Sequence, residues 1–329
     1  MTRRRARSAI VLPRMFRTLS VAWVALGLVL HPLPGAAELL GDVDTPGYAQ
    51  AVALAGGLVY VADGNRGLQI IDASNPAAPA ILAEHDTPGF AWDVEIAGGR
   101  AYVADGSTGL RIFDVSNPSA PREVGHYDTP DFALGVRVVG ERAYVADRLS
   151  GVRILDVSNP AAPVEVDAVD TPGAALDIFV VGGFAYVADG NLGLRILDVS
   201  NPTRARTLGS IDTASSALAV RVAGPLAYVA DRVSGLRIID VSKPRAPAER
   251  GALGSKQFTL GLAVVGHTAY LASRTGGLRI VDVSNPEHPV SVHEIDTPGE
   301  AWDVAVEGER AYVADGSSGL QILDVARPR

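Results

Sequence analysis

The sequence contains no cysteine, and this absence excludes several kinds of site at once. Without thiols the chain can form no disulfides, thiolate metal sites or cysteine nucleophiles, and no lipid can be attached at a signal-peptide cysteine. Common catalytic signatures are absent too, since there is no Gly-Xaa-Ser-Xaa-Gly elbow, phosphate-binding loop or His-Glu-Xaa-Xaa-His pattern. The fold must therefore rest on its packed core, and no motif predicts a catalytic residue or a cofactor.

Basic residues are scarce outside the N-terminal segment. The whole chain has 29 Lys and Arg, 37 Asp and Glu and a net charge of −8. Six of the arginines and none of the acids lie in residues 1–37, so the remainder carries a net charge of about −14. An acidic chain without a basic run binds nucleic acid and anionic membranes poorly. We therefore expect no nucleic-acid partner.

Residues 1–37 have the pattern of a secretory signal peptide. Arginines are followed by an apolar run over residues 19–30 and then by Pro, Gly and Ala, with Gly35 and Ala37 as the small residues before a cleavage site. The run is short for a membrane span, although an uncleaved anchor is the alternative. Translation from Met15 would give a more compact signal. We expect export to the periplasm, cell surface or medium, and no membrane insertion after the signal is removed.

The rest of the chain is a tandem repeat with a period of 42 residues. The repeat is marked by Tyr60, Tyr102, Tyr144, Tyr186, Tyr228, Tyr270 and Tyr312, without one insertion or deletion. Six units carry four strand-like stretches and the seventh carries the first three; in unit two the four are "AWDVEIAG", "RAYVAD", "GLRIFDVS" and "REVGHY". Turn residues (Gly-Gly, Asp-Gly, Ser-Asn-Pro and Asp-Thr-Pro) separate them. This pattern predicts antiparallel β structure throughout.

The ends of the chain indicate how the repeats are arranged. A 42-residue unit of four strands is typical of a propeller blade. The seventh unit lacks its fourth strand, and "AELLGDVDTPG" (37–47) corresponds to "VSVHEIDTPG" (290–299) at the other end. We therefore predict an all-β, seven-bladed β-propeller over residues 38–329, closed by strand 38–43, which completes the last blade and protects exposed sheet edges.

The repeated sequence motif resembles that of a known family. "GLRIVDVSNPEHPVSV" (277–292) and its relatives "GLRIIDVSKP", "GLRILDVSNP" and "GLQIIDASNP" resemble the LVIVD repeat family, found in exported or surface proteins of bacteria and archaea. The resemblance extends over all seven units and implies a β-propeller. It supplies no catalytic residues, and propellers host many unrelated functions.

Residues that recur in every unit are interpreted as parts of the frame. The aspartate ending the third strand recurs seven times, as Asp72, Asp114, Asp156, Asp198, Asp240, Asp282 and Asp324. We expect it to cap the following turn. The aspartate of the "ADG" stretch (Asp63, Asp105, Asp147, Asp189, Asp231 and Asp315, with Ser273 in unit six) is interpreted as a hairpin residue.

No metal site is expected from the repeated carboxylates or from the histidines. A calcium loop would need alternating oxygen ligands and a terminal Glu, which "DGSTG" lacks. The histidines fall at different positions within their repeats, so they do not predict a common metal site.

Positions that differ among the copies are the candidates for a functional face. The first residue of the innermost strand is Ala51, Asp93, Gly135, Asp177, Ala219, Gly261 or Asp303. The residue after the "AD" or "AS" pair is Gly64, Gly106, Arg148, Gly190, Arg232, Arg274 or Gly316. Every unit with Asp at the first position has Gly at the second. We expect both positions at one end of the channel, where a long Arg uses the room left by a small neighbour.

Two interpretations of this charged end stay open. The aspartates could pair with arginines of neighbouring blades and hold the ring together. Alternatively, the mouth could bind a polar ligand, as Glu95, Arg137, Phe179 and Arg221 replace Ala at a further channel position, and Trp92 and Trp302 replace Leu or Gln. Tryptophan at a mouth can stack on a sugar or peptide, or can fill a gap between blades.

Together these patterns predict an exported, monomeric binding or scaffold module that holds a protein, peptide or glycan at the channel mouth. The candidate site comprises Trp92, Asp93, Glu95, Arg137, Arg148, Asp177, Phe179, Arg221, Arg232, Arg274, Trp302 and Asp303. One alternative is a hydrolase or lyase that uses the carboxylates of the mouth, with or without a divalent ion. The other is a purely structural envelope or surface protein.

Overall fold

The structure, a computed structural model, describes residues 38–326, so the expected signal peptide lies outside the described residues. Within that range the chain forms 28 strands and no helix. The strands make seven separate four-stranded sheets, all antiparallel. The predicted all-β, seven-bladed propeller is therefore confirmed. No helix in this part of the chain is long and apolar enough to cross a membrane.

The strands of each blade run in order from the channel outward. Strand β1 (Glu38–Val43) precedes the first blade. Blade 1 has β2 (Ala51–Ala55), β3 (Leu58–Ala62), β4 (Leu68–Asp72) and β5 (Ala80–His85). Blade 2 has β6 (Asp93–Ala97), β7 (Arg100–Ala104), β8 (Leu110–Asp114) and β9 (Arg122–Tyr127). Blade 3 has β10 (Gly135–Val139), β11 (Arg142–Ala146), β12 (Val152–Asp156) and β13 (Val164–Val169).

The later blades repeat this order. Blade 4 has β14 (Asp177–Val181), β15 (Phe184–Ala188), β16 (Leu194–Asp198) and β17 (Arg206–Ile211). Blade 5 has β18 (Ala219–Ala223), β19 (Leu226–Ala230), β20 (Leu236–Asp240) and β21 (Ala248–Leu253). Blade 6 has β22 (Gly261–Val265), β23 (Thr268–Ala272), β24 (Leu278–Asp282) and β25 (Val290–Ile295). Blade 7 has β26 (Asp303–Glu307), β27 (Arg310–Ala314) and β28 (Leu320–Asp324), with β1 as its fourth strand.

The aspartate at the end of the third strand caps the following turn, as predicted. In all seven blades its Oδ1 accepts a hydrogen bond from the backbone N–H two residues later, at 2.8–3.2 Å. In blade 5, the hydrogen bonds from Ser242 lower the pKa of Asp240 to about 2. A bond of this kind satisfies a backbone donor that the end of the strand would otherwise leave unpaired.

The hydrophobic core lies between the blades, because both faces of each sheet are covered by neighbours. One cluster joins blades 1 and 2 through side chains such as Leu68, Ile70, Val103 and the fully buried Phe113. An equivalent cluster joins blades 7 and 1, where Leu320 and Ile322 pack with residues of β3 and β4. Each buried Leu or Ile contributes about 1.5–3 kcal/mol. The ring is therefore held together by seven similar apolar layers.

Strand β1 closes the ring as predicted. It pairs antiparallel with β28, with Glu38 opposite Asp324 and Val43 opposite Leu320. Its side chains Leu40 and Val43 are half-buried against the cluster between blades 7 and 1. The chain thus joins its first strand to its last blade, and β28 has no free edge.

Replacing Val43 with Asp should destabilise the protein through this closure. A carboxylate would be placed against the apolar layer between blades 7 and 1, at a cost of about 2–4 kcal/mol. The matched control is Asp42→Ala, since Asp42 is exposed on the same strand; it should change stability by less than about 0.5 kcal/mol. Urea unfolding measures both. Equal effects of the two substitutions would contradict the packing of β1 in blade 7.

Candidate functional site

One end of the channel is surrounded by a ring of large, mainly apolar side chains, which we call the collar. The ring is formed by the residue that precedes each innermost strand: Gln50, Trp92, Leu134, Leu176, Leu218, Leu260 and Trp302. Six of the seven are half-buried and Gln50 is buried. They surround a cavity of about 470 Å³, which Phe132 and Arg148 also line. The strand geometry creates this ring, because the equivalent residue of every blade faces the same axis.

Three arginines stand at the rim of the collar in an unusual backbone conformation. Arg148, Arg232 and Arg274 have φ of 45°, 39° and 47°, and the other four blades have glycine with positive φ at this position. They are the only residues besides glycine with positive φ in the range 38–326. This conformation costs a side-chain-bearing residue about 1–2 kcal/mol. The expected position at the channel end is correct, and the backbone explains why glycine is the usual residue there.

The rim arginines contact phenylalanine rings of the connections between blades. The guanidinium of Arg148 lies 5.3 Å from the ring centroid of Phe132. Those of Arg232 and Arg274 lie 4.9 and 5.5 Å from the ring of Phe258. Cation–π contacts of this kind hold the side chains in place at the surface. Stacking on an aromatic ring therefore positions each arginine, and the residue that starts the innermost strand of the same blade is small in all three cases, as the sequence shows.

A hydrogen-bonded chain continues round the rim across the closure of the ring. Arg274 Nε donates to Glu300 Oε1 at 3.0 Å, and Tyr48 Oη donates to Glu300 Oε2 at 2.8 Å. Trp302 Nε1 donates in turn to Tyr48 Oη at 3.1 Å. Within residues 38–326 no hydrogen-bond acceptor faces the Trp92 indole N–H, and the Trp92 ring packs 4.8 Å from that of Phe90. Both tryptophans face the cavity, so they line the mouth and do not merely fill gaps between blades.

Next to the collar along the channel lies a ring that contains three aspartates. Each one accepts a backbone N–H from the innermost strand of the next blade: Asp93 from Val136 at 2.8 Å, Asp177 from Val220 at 2.8 Å and Asp303 from Val52 at 3.2 Å. The innermost strand is the edge of its sheet, so its N–H groups that point away from the sheet need acceptors. The aspartates thus join blades 2 to 3, 4 to 5 and 7 to 1.

One arginine neutralises part of this acidic ring. Arg221 Nη1 donates to Asp177 Oδ2 at 2.8 Å. Burial opposes the charge of Arg221, but the carboxylates of Asp177, Asp303 and Asp93 raise its pKa above the ordinary value. The expected pairing with arginines of neighbouring blades is therefore present at Asp177. Among the described residues, Asp93 and Asp303 have backbone N–H donors as partners in place of an ion pair.

Burial also raises the pKa of two of these aspartates. The pKa of Asp303 rises from 3.8 to about 6, because burial outweighs the attraction of Arg221 and the carboxylate of Asp93 adds repulsion. The pKa of Asp93 is raised by burial and by the Asp177 carboxylate. With all three acids ionised and Arg221 charged, the ring would carry a net charge of −2. A raised pKa keeps a carboxyl group protonated to a higher pH, and this reduces the repulsion.

The remaining predicted residues lie further down the channel, around a cavity of about 360 Å³. Arg137 forms an ion pair with Glu95 of the preceding blade, and its guanidinium lies 4.7 Å from the ring centroid of Phe179 in the following blade. Burial raises the pKa of Glu95, while Arg137 opposes the rise. The twelve predicted residues therefore divide into a collar with its rim, an acidic ring and a lower channel.

Sequence reasoning missed the role of the buried aspartate in the "ADG" stretch. In six blades this side chain has no exposed surface, and its carboxylate accepts the N–H of the connection entering the same blade at 2.8–3.2 Å. In four of them a threonine hydroxyl 18 residues earlier also donates to it, at 2.5–2.6 Å. We call this arrangement the latch. No group of three or more His, Cys, Asp or Glu suited to a metal ion occurs within residues 38–326.

Comparisons with known proteins agree with this architecture. The sequence profile of the LVIVD repeat matches residues 46–87, 88–129, 132–171, 172–213, 214–253, 259–297 and 298–328. No curated protein matches the chain. The crystal structure of the computationally designed Ika8 protein is similar at 7% identity and a TM-score of 0.67, covering 88% of this chain and 100% of that one. The structure of U3-55K is similar at 10% identity and 0.68, covering 88% and 98%. At these identities the likeness shows the fold alone.

Replacing Asp303 with Asn should stabilise the protein at neutral pH. A carboxyl whose pKa is raised on folding stabilises the fold below its unfolded pKa of 3.8, and this contribution is lost as the pH rises through about 6. The amide introduced by this substitution does not ionise in this pH range. The free energy of unfolding of the variant should therefore exceed that of the wild type by about 1–2 kcal/mol at pH 7, and by much less at pH 4. Urea unfolding across this range measures the difference.

The control is Asp282→Asn, because the hydrogen bonds of Ser284 lower the pKa of Asp282. Its contribution has the opposite sign and is lost as the pH falls, so this variant should be less stable than the wild type at pH 7. A constant difference between Asp303→Asn and the wild type from pH 4 to 7 would show that Asp303 is not held with a raised pKa.

Proposed function

The chain belongs to the LVIVD repeat family, and from this premise we propose that it is a binding module that holds a peptide segment of a partner protein at the collar. The single observation that carries the proposal is the apolar cavity of about 470 Å³ at one mouth of the channel. Its size falls within the range of about 300–1,000 Å³ typical of ligand pockets. Closure of the ring creates the channel, but the side chains that line this mouth are not part of the apolar core, which lies between the blades.

The lining of the cavity favours an apolar side chain over a sugar. Four leucines and two tryptophans contribute most of its wall, and leucine side chains offer no hydrogen bonds to sugar hydroxyls. A half-buried collar of this kind loses water contacts when an apolar group enters, which favours binding. Tryptophans are also frequent anchors of protein interfaces.

The rim favours an acidic residue beside that apolar group. Arg274 is neutralised by Glu300 at 3.0 Å, whereas the shortest contact of Arg148 with a carboxylate is 4.0 Å, to Asp131. Arg232 has no carboxylate within 4.0 Å among the described residues. Two guanidinium groups at the edge of an apolar cavity complement a peptide that carries Glu or Asp next to its apolar anchor.

Binding accounts for the aspartates better than hydrolysis does. The carboxylates of Asp93, Asp177 and Asp303 accept backbone N–H groups from neighbouring blades, which is a structural task. A general acid must present a proton, and a general base a lone pair, to a bound substrate, whereas the contacts seen for these three carboxylates hold neighbouring blades together. We therefore propose binding without turnover as the function of this mouth.

We also propose that the module works outside the cytoplasm, supported by the pattern of residues 1–37 and the predicted cleavage after Ala37. Expression of the full chain in a bacterial host with an active secretion system should yield exported protein that begins at Glu38, which N-terminal sequencing and intact mass can establish. Retention of the whole N-terminal segment on the exported protein would contradict cleavage.

Selection from a displayed random peptide library tests the proposed site. In a chain that carries Trp23→Phe, the remaining tryptophans, Trp92 and Trp302, both line the cavity, so their fluorescence reports its occupation directly. Enriched peptides should pair a large apolar side chain with Glu or Asp and should change this fluorescence saturably. Leu218→Asp puts a carboxylate into the cavity and should weaken the affinity of these peptides at least about tenfold.

The matched control for this selection is Val265→Asp. Val265 is 48% exposed and ends an innermost strand, so it lies at the other end of the channel from the collar. It should leave peptide affinity within about twofold. No enrichment, or enriched peptides that tolerate Leu218→Asp, would overturn the collar as the binding site.

A further inference from the structure

Blade 6 departs from the other six blades at both partners of the latch. Its buried residue is Ser273, 3% exposed, in place of the aspartate. The threonine of the connection is replaced by Ser255, since "GSKQ" (254–257) stands where the other connections have "DTPG", "DTPD" or "DTAS". The residue that carries the buried carboxylate and the residue that carries the facing hydroxyl group therefore both differ in blade 6. The carboxylate acceptor is therefore absent from blade 6, whereas a hydroxyl group remains at the threonine position.

The donors that hold the carboxylate elsewhere are still present in blade 6. The N–H of Gln257 occupies the position of the six N–H groups that donate to the aspartates, and here it donates to Ser255 Oγ at 3.2 Å. In the part of the chain that the structure describes, Ser273 Oγ has one weak partner, the carbonyl oxygen of Leu271 at 3.4 Å. Both hydroxyl groups can turn toward an added acceptor.

A cation also remains at this position. In blades 4 and 5 the equivalent arginines contact the latch aspartate, with Nε at 2.9 Å for Arg195 and 3.4 Å for Arg237. In blade 6, Arg279 Nε instead lies 2.9 Å from Ser291 Oγ and 3.3 Å from Glu294 Oε1, and its Nη1 donates to the carbonyl of Gly254. The Glu294 side chain is 67% exposed, so solvent weakens its hold on Arg279.

These groups surround an open cavity. The space has a volume of about 400 Å³ and is lined by Ser255, Lys256, Gln257, Ser273, Arg279 and Glu294, together with two glycines. The two cations and one anion leave a net charge of +1. If apolar residues had replaced the latch, the cavity wall would be apolar. The wall instead offers hydroxyl, amide and cationic donors. Such a set suits an anionic oxygen ligand.

We propose that blade 6 binds the carboxylate of a small organic acid, which takes the place that the aspartate side chain fills in the other six blades. Ser255, Ser273 and the N–H of Gln257 would donate hydrogen bonds to it, and Arg279 and Lys256 would supply the charge. This site shares no lining residue with the collar, so the proposal for blade 6 does not depend on the proposed function.

Thermal unfolding in sodium acetate tests this site, with sodium chloride at the same ionic strength as the reference. In the wild type, acetate at about ten times its dissociation constant should raise the Tm by roughly 2–4 °C more than chloride, and the rise should saturate. Ser273→Asp supplies an internal carboxylate and should abolish the saturable part. A general salt effect affects both proteins alike, so the difference between them isolates the site.

Two further variants keep the test decisive. Arg279→Gln removes the cation without adding a carboxylate and should reduce the acetate effect even if Ser273→Asp folds poorly. Asp231→Ser in blade 5 creates the equivalent cavity beside Arg237, and its lowered Tm should be partly restored by acetate. An acetate effect in the wild type no larger than that of chloride, or one that persists undiminished in both Ser273→Asp and Arg279→Gln, would overturn the proposal.

Discussion

The structure depends on one constraint, namely that every blade must bury both of its faces. A blade at the end of an open array would leave a sheet of Val, Ile and Leu side chains in water, and its outer strand edge would invite pairing with other chains. The cluster between blades 7 and 1 removes both problems, and β1 completes the sheet of blade 7 from the opposite end of the chain. The collar, the acidic ring and the lower channel exist only because this closure brings seven strand starts to one axis.

A ring built from equal units acquires an individual site only where the copies differ. Residues that are present in all seven blades, such as the capping aspartates, serve each blade alike. The rim arginines show the energetic cost of departing from the pattern, since each adopts a left-handed conformation that glycine adopts freely in the other blades. Stacking on Phe132 and Phe258 offsets part of that cost. Charge has thus been added at the mouth against the local preference of the backbone.

The period of the repeat was enough to predict the fold, the four strands of each blade and the closing strand at 38–43. It also placed Trp92 and Trp302 at the channel mouth, because equivalent positions of a ring share one radius. The partners of Asp93 and Asp303 could not be predicted, since backbone N–H groups leave no residue-type signal. The latch was missed because Asp-Gly indicates a local turn, whereas the partner threonine lies 18 residues earlier. The joint change to Ser255 and Ser273 in unit six was the one signal in the sequence that linked the two positions.

The latch and its loss in blade 6 follow from the same balance of forces. A buried carboxylate is stabilised by its N–H and hydroxyl donors but opposed by desolvation, which raises the pKa of Asp63 to about 6. Replacing such a group with serine relieves the desolvation and leaves the donors without their main acceptor. Buried donors without an acceptor are costly, so a simple structural loss would favour apolar replacements at the same positions. Blade 6 instead retains Arg279 and has Lys256 around an open cavity. This polar lining fits a site that binds the carboxylate of a separate molecule, and it differs from the apolar lining expected if the aspartate had simply been lost.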